Sequence, residues 1–130
     1  MLDMWIDFGE GFMLLFDITD KESFDILKKK YQRIINKKEV PIVLVGNQMN
    51  LESERKISFE EAAEFAYSLK IQYIEISSYD YFNCHKPFEI LCKEILMFRE
   101  GKYQEYKSNI KKQRKDNTNK LPSLFKFINY

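Results

Sequence analysis

Three amide side chains, Asn47, Gln48 and Asn50, follow directly on the apolar run Pro41–Gly46, and each offers a carbonyl acceptor beside an amide donor. Such groups recognise a ligand by hydrogen bonding; they do not transfer protons. Asn47 taken alone equally fits a turn or left-handed position that closes the chain after Gly46. A second polar cluster, Ser77-Ser78-Tyr79, follows the shorter apolar run Tyr73–Ile76. Thiol and imidazole groups are few. Cys84, His85 and Cys92 give one imidazole and two thiols eight positions apart, which is no four-ligand metal set. Adjacent Cys84 and His85 are poorly placed to pair as thiolate and imidazolium. Cys92 reads instead as a small core residue of a helix, and Cys84-His85 as loop. Phosphate groups are commonly held by Gly-x-x-x-x-Gly-Lys-Ser/Thr, whose glycine-rich turn lets consecutive backbone N–H groups surround the phosphates. The glycines are Gly9, Gly11, Gly46 and Gly101, no two of them five apart, so these 130 residues contain no such motif.

The elements that must position these groups follow from hydrophobic patterning. Phe12–Ile18, Pro41–Gly46 and, more weakly, Tyr73–Ile76 are short apolar runs without alternation, as expected of strands covered on both faces of a parallel sheet. Phe24, Leu27, Tyr31, Ile34 and Ile35 recur at helical spacing between the first two runs, with Thr19 or Asp20 as N-cap. Ser58 and Glu61 form a capping-box pattern ahead of Ala62, Phe65, Ala66 and Leu69. A third helix starts near Pro87 and carries Phe88, Leu91, Cys92, Ile95 and Leu96 until Gly101 offers a stop. Strand and helix thus alternate three times, which predicts right-handed βαβ units with helices on both faces. The fold class is α/β, with about three parallel strands and flanking helices.

Composition bounds the rest. A length of 130 residues suits one domain. With 45% hydrophobic residues there is enough apolar material for a core, and a net charge of +1 argues against a nucleic-acid binder. Two cysteines and no signal-peptide pattern suggest reduced thiols in the cytoplasm. No apolar run approaches the roughly 18 residues that span a bilayer.

Several blocks in order resemble the C-terminal part of the G domain of Ras-like small GTPases, from about Met4 to Phe98. Gly9-Glu10-Gly11-Phe12 with Leu15-Phe16-Asp17-Ile18 resembles the entry and fourth strand of that fold, and Ser23-Phe24 the start of the next helix. Val40–Asn47 resembles the fifth strand opening into the Asn-Lys-x-Asp loop, with Gln48 at the Lys position and Asn50 at the Asp position. Tyr73–Ser78 resembles the sixth strand running into the Ser-Ala-Lys loop, with Ser78 at the Ala position and Tyr79 at the Lys position. The resemblance implies a GTP-binding signalling switch of the doubly wound P-loop-NTPase type, and it implies degenerate base-binding residues at Asn47, Gln48, Asn50, Ser77, Ser78 and Tyr79.

The departures bear on affinity. In the family the Asp carboxylate accepts two hydrogen bonds from guanine, whereas the Asn50 amide would turn a donor toward one of them. A buried donor left unpaired costs about 1 to 3 kcal/mol, roughly tenfold to a hundredfold in affinity. Ser78 is a tolerable replacement, and Tyr79 retains a ring able to stack on a purine. GTP or GDP binding is therefore expected to be weak or absent, Mg²⁺ binding is not expected, and no catalytic or metal residue is assigned. Switch I and the Asp-x-x-Gly-Gln element are not in the sequence, so hydrolysis by these residues alone is not expected.

Residues 1–100 read as a partial G domain, and residues 101–130 as a tail that is basic and then apolar and aromatic. From Lys102 to Lys120 seven basic residues stand against two acidic ones, a local charge of +5. Lys102, Lys107, Lys111, Lys112, Arg114 and Lys115 would give weak, salt-sensitive contact with acidic membrane, without the prenylation box that anchors many relatives. Tyr103, Tyr106 and Ile110 could extend the last helix, and Gln113–Lys120 reads as flexible. Because the family sheet has the order 2-3-1-4-5-6, Phe12–Ile18 would present a bare edge that invites a protein partner. Two origins fit: a fragment of a longer gene product, or a degenerate pseudo-GTPase that serves as an interaction module.

Overall fold

A computed structural model describes residues 2–47, 54–77 and 84–116, with side chains over 3–47, 54–77 and 84–110. In chain order its elements are α1 (Leu2–Phe8), β1 (Phe12–Asp17), α2 (Lys21–Lys37), β2 (Ile42–Asn47), α3 (Phe59–Ser68), β3 (Gln72–Ile76), α4 (Lys86–Arg99) and α5 (Tyr103–Asp116). The strands are parallel in the order β1-β2-β3, with Leu14 beside Leu44 and Leu44 beside Tyr73. Parallel neighbours cannot be joined by a tight turn, so α2 and α3 carry the chain back across the sheet.

Side-chain alternation along the strands sorts the core into two layers. Leu14, Phe16, Ile42, Leu44 and Tyr73 face α2 and α3, where Phe24, Leu27, Tyr31, Ile34, Ala62, Ala63 and Ala66 meet them. Val43, Val45 and Ile74 face the other way, onto Ile90 and Leu91 of α4. The sheet is thus sandwiched between helices, as the unbroken apolar runs predict. Aromatic contacts knit the larger layer: the Phe16 and Phe24 ring centroids lie 4.7 Å apart, and Phe65 meets Phe24 edge-on at 5.6 Å.

The expected helix starts are present in detail. Asp20 caps α2 by accepting from the backbone N–H of Glu22 and Ser23, and the Ser58 hydroxyl accepts from Glu61 N–H at 3.0 Å. Pro87 lies in the first turn of α4. In the run Lys28–Lys30 of α2, Lys29 and Lys30 are exposed, while the Lys28 ammonium sits 4.4 Å above the Phe24 ring.

Four expectations are corrected. Cys92 is exposed rather than a core residue: the inward positions of α4 are Pro87, Ile90 and Glu94, and Phe88, Cys92 and Leu96 turn outward. Among the described residues the side of α4 away from the sheet has no element over it. The last helix does not continue through Tyr103 but breaks at Gly101, whose φ of +74° reverses the chain into α5. Helix α5 then packs across α4 and α3, burying Tyr103 and Ile110, and stays helical through Gln113–Asp116 where the composition suggests flexibility. Finally, Asn47 is not a turn residue; it closes β2 in extended pairing beside Ile76. Helix α1 carries no expectation from patterning, and it packs on α2 with Ile6 buried and Asp3 paired to Arg33 at 2.9 Å.

Helices α3 and α4 end in the same motif. After α4, Lys102 N–H bonds Met97 O and Gly101 N–H bonds Phe98 O; after α3, Ile71 N–H bonds Ala66 O and Lys70 N–H bonds Tyr67 O. The left-handed position is glycine in the first case and Lys70, with φ of 59°, in the second. A β-carbon in that conformation costs about 1 kcal/mol or somewhat more. Lys70→Gly is accordingly expected to stabilise the chain by about 1 kcal/mol, read from the midpoint of denaturant unfolding.

Candidate functional site

Parallel sheets bind ligands beyond the carboxyl ends of their strands, and here Asp17, Asn47 and Ile76 mark those ends. Asp17 pairs in register with Asn47, and Asn47 with Ile76, so Ser77 follows one residue beyond Asn47's neighbour. Of the six expected base-binding residues, Asn47 and Ser77 are therefore brought to adjacent strand ends. Gln48, Asn50, Ser78 and Tyr79 lie outside the described residues.

The ends are fixed by a dense set of polar contacts. The backbone N–H of Ile18 donates to Asn47 O at 3.2 Å, and Ile18 O accepts from the N–H groups of Lys56 and Ile57. The Asp17 carboxylate accepts from the N–H and hydroxyl of Thr19 at 2.8 and 2.7 Å, which folds the exit of β1 back on itself. The Ser23 hydroxyl accepts from Asp17 N–H at 3.0 Å and so ties the first turn of α2 to the same point.

A second set stands on β3. Arg55 donates to both oxygens of Glu75, at 2.9 and 2.6 Å, and also to Ile57 O at 2.8 Å. The Tyr73 hydroxyl donates to Glu75 at 2.6 Å. Arg55 and Glu75 are largely buried, with side chains 17% and 12% exposed. A bidentate arginine locks the planar geometry of the pair and anchors the chain where it returns from 48–53 against the end of β3. Burial, reinforced by the neighbouring Glu75 carboxylate, pushes the Tyr73 phenol far above its usual range, so this hydroxyl is a fixed donor. It also lies directly over Gly46: a β-carbon there would collide with the hydroxyl and press on Ile18 Cγ2 at 3.2 Å. The glycine before Asn47 is thus set by close approach of a buried ring, not by a turn.

Sequence reasoning did not find Arg55, Glu75 or Tyr73 as a unit. Glu75 offered the signal: a carboxylate within the apolar run Tyr73–Ile76 requires a partner once the strand is buried. Nothing in the sequence placed Arg55, twenty positions away, as that partner.

Asn47 Oδ1 is buried and finds no hydrogen-bond partner among the described residues. An orphaned acceptor at a strand end fits a ligand or a loop donor arriving from beyond the sheet. Among the described residues no cluster of three or more His, Cys, Asp or Glu could hold a metal ion, and no helix is long and apolar enough to cross a membrane. No disulfide joins Cys84 and Cys92.

Comparison with known proteins decides the family. The model of the Ras family matches residues 1–97, three quarters of the chain. The chain belongs to the Ras family. It is similar to Ras-like protein RAS2 of Hydra vulgaris, 38% identical over 98 residues that cover 73% of this chain and 51% of that protein. It is 33% identical over 124 residues to Ras-like protein 1 of Saccharomyces cerevisiae, covering 93% of this chain and 38% of the relative. With Ras-like protein rasZ of Dictyostelium discoideum it shares 27% identity over 132 residues, covering 99% and 62%. The chain therefore spans about half the length of the curated relatives it matches. Its three parallel strands and flanking helices are a partial Ras-like G domain, and the family binds GTP and GDP.

The Arg55 brace gives the measurable consequence. Among the described residues Arg55→Ala leaves the buried Glu75 carboxylate with the Tyr73 donor alone, and it is expected to destabilise this Ras-family chain by about 3 kcal/mol in denaturant unfolding.

Proposed function

We propose that this chain is the base-recognition side of a GTP-dependent signalling switch, and that these 130 residues by themselves bind guanine nucleotide weakly and do not hydrolyse GTP. The observation that carries this reading is the buried Asn47 Oδ1 at the carboxyl end of β2, which has no hydrogen-bond partner among the described residues, with Ser77 at the neighbouring strand end, in a chain of the Ras family. The residues present fit the base in part. Asn47 offers an acceptor, and Gln48, Ser78 and Tyr79 stand at the positions of the family's loops, while Asn50 replaces the carboxylate that would pair with guanine. Nothing in the sequence supplies the glycine-rich turn for phosphates or a ligand for Mg²⁺. When bound, the nucleotide would supply the γ-phosphate whose loss resets a switch; this chain's own part is to orient the base.

Isothermal titration of the purified chain with GDP and GTP tests this. Weak or undetectable heats and no GTP turnover above buffer are expected, and micromolar or tighter GDP binding would overturn the reading.

A second reading, a non-catalytic pseudo-GTPase that binds a protein partner, is favoured by one feature. Among the described residues strand β1 is an edge of the sheet, and Leu15 on it is 50% exposed; Phe88 and Leu96 of α4 are exposed as well. Acidic membrane is a weaker candidate through Lys102, Lys107, Lys111, Lys112, Arg114 and Lys115, consistent with a cytoplasmic chain that touches membrane loosely. If the edge is a binding surface, the wild-type chain should self-associate at high concentration and Leu15→Lys should stay monomeric in sedimentation velocity. Identical sedimentation of the two would remove the edge from consideration.

A further inference from the structure

The base-side loops do not explain a second polar cluster at the opposite end of the molecule. Glu94, on the inward face of α4, is 1% exposed. One carboxyl oxygen, Oε2, accepts from the Tyr106 hydroxyl of α5 at 2.8 Å, and that hydroxyl in turn accepts from Gln72 Nε2 of β3 at 2.9 Å. The other oxygen, Oε1, is buried with no hydrogen-bond partner among the described residues. Three elements therefore meet in a chain of hydrogen bonds, Gln72 to Tyr106 to Glu94, that ends on a half-satisfied carboxyl group. Tyr103 and Ile110 of α5 are buried on either side of the same contact.

We propose that docking of α5 onto α3 and α4 is linked to the binding of one proton at Glu94, so that the helix is held while the carboxyl is neutral and loosens when it ionises. The geometry is the reason. An ionised carboxylate in this position keeps one hydrogen bond and leaves an oxygen charged, buried and unpaired, a far costlier arrangement than a neutral carboxyl lacking one partner. Lifting α5 returns Glu94 to water. On loosening, the carboxyl proton passes to water, and on docking a proton is taken back from solvent, so no other reactant is needed.

Among the described residues the surroundings do not offset that cost. From α5, Tyr106 supplies its one donor, Lys107 attracts at longer range while its ammonium sits 5.2 Å from the Tyr103 ring centroid, and Tyr103 is itself a buried neutral phenol. Glu39 and Tyr31 approach Tyr103 from the α2 side. β3 presents the neutral Gln72. The strands packed against α4, β1 and β2, bring one titratable group, Asp17, which is at the far end of β1 and committed to Thr19. Burial accordingly pushes the Glu94 carboxyl up to about 8, against the smaller opposing effects of Tyr106 and Lys107. Because the docked value exceeds the ordinary carboxylate value, the stabilisation is fully present below about pH 4.5 and is lost as pH rises toward about 8. Gly101 supplies the joint on which such a helix can swing, being left-handed with open space around its α-carbon.

Amide hydrogen exchange of the whole chain from pH 5.5 to 9, corrected for the intrinsic rate, tests the linkage. Protection of α5 amides is expected to fall about tenfold per pH unit up to about pH 7.5, with α2 amides unaffected, and to level off above about pH 8.5. Glu94→Gln should make α5 protection independent of pH. A flat wild-type profile, an unchanged slope in Glu94→Gln, or the same slope in α2 would overturn the proposal. Should Glu94→Gln fold poorly, Tyr106→Phe serves instead. It removes the one hydrogen bond that favours the ionised form and should carry the slope to higher pH, and an unshifted profile would likewise overturn it.

Discussion

The structure depends on covering β2 from both sides. Ile42, Val43, Leu44 and Val45 alternate between the two helical layers and are nearly or fully inaccessible to water, which is possible only with a strand on each side and a helix above and below. Parallel pairing makes this arrangement self-consistent. Each strand must be followed by a crossover long enough to return across the sheet, and those crossovers, α2 and α3, are themselves the cover for one face. The apolar stripes Phe24-Leu27-Tyr31-Ile34 and Ala62-Ala63-Ala66 exist to meet it.

At the carboxyl ends of the strands this burial creates a problem that polar side chains resolve. Backbone and side chains leaving the sheet must stay hydrogen-bonded in a region from which water is excluded. Asp17 does so through Thr19 and Ser23, and Glu75 through Arg55 and Tyr73. Among the described residues two buried side-chain atoms then stand out without a partner, Asn47 Oδ1 here and Glu94 Oε1 at the opposite end. The two atoms lie at opposite ends of the sheet: one is at the carboxyl end of β2, the other is sealed under a helix beyond the stretch that the family model covers.

The outer layers are uneven. On the β3 side, α5 bridges α3 and α4 and contributes Tyr106 to Gln72, so that part of the sheet is tied in by side chains. On the β1 side, Leu15 is half in water and the outward face of α4 displays Phe88, Cys92 and Leu96. An exposed apolar residue on the strand edge and an apolar helix face leave this side less covered than the β3 side.

Much of this was legible in the residues themselves. Asp20, Ser58 and Pro87 announced three helix starts, since caps and first-turn prolines act over two or three positions, and unbroken apolar runs announced strands buried on both faces. The blocks from Gly9 to Ser78 carried the family because local sequence there still matches its strands and loop entries. What the sequence did not decide was orientation and long-range pairing. Which side of α4 faces inward is set by its packing on Val43, Val45 and Ile74 and by the docking of α5, and so Cys92 turned out and Glu94 turned in. The role of Gly46 came from the Tyr73 hydroxyl, and the partners of Glu75 and Glu94 came from residues twenty and twelve positions away, because such contacts are fixed by packing between elements and leave no period or motif along the chain.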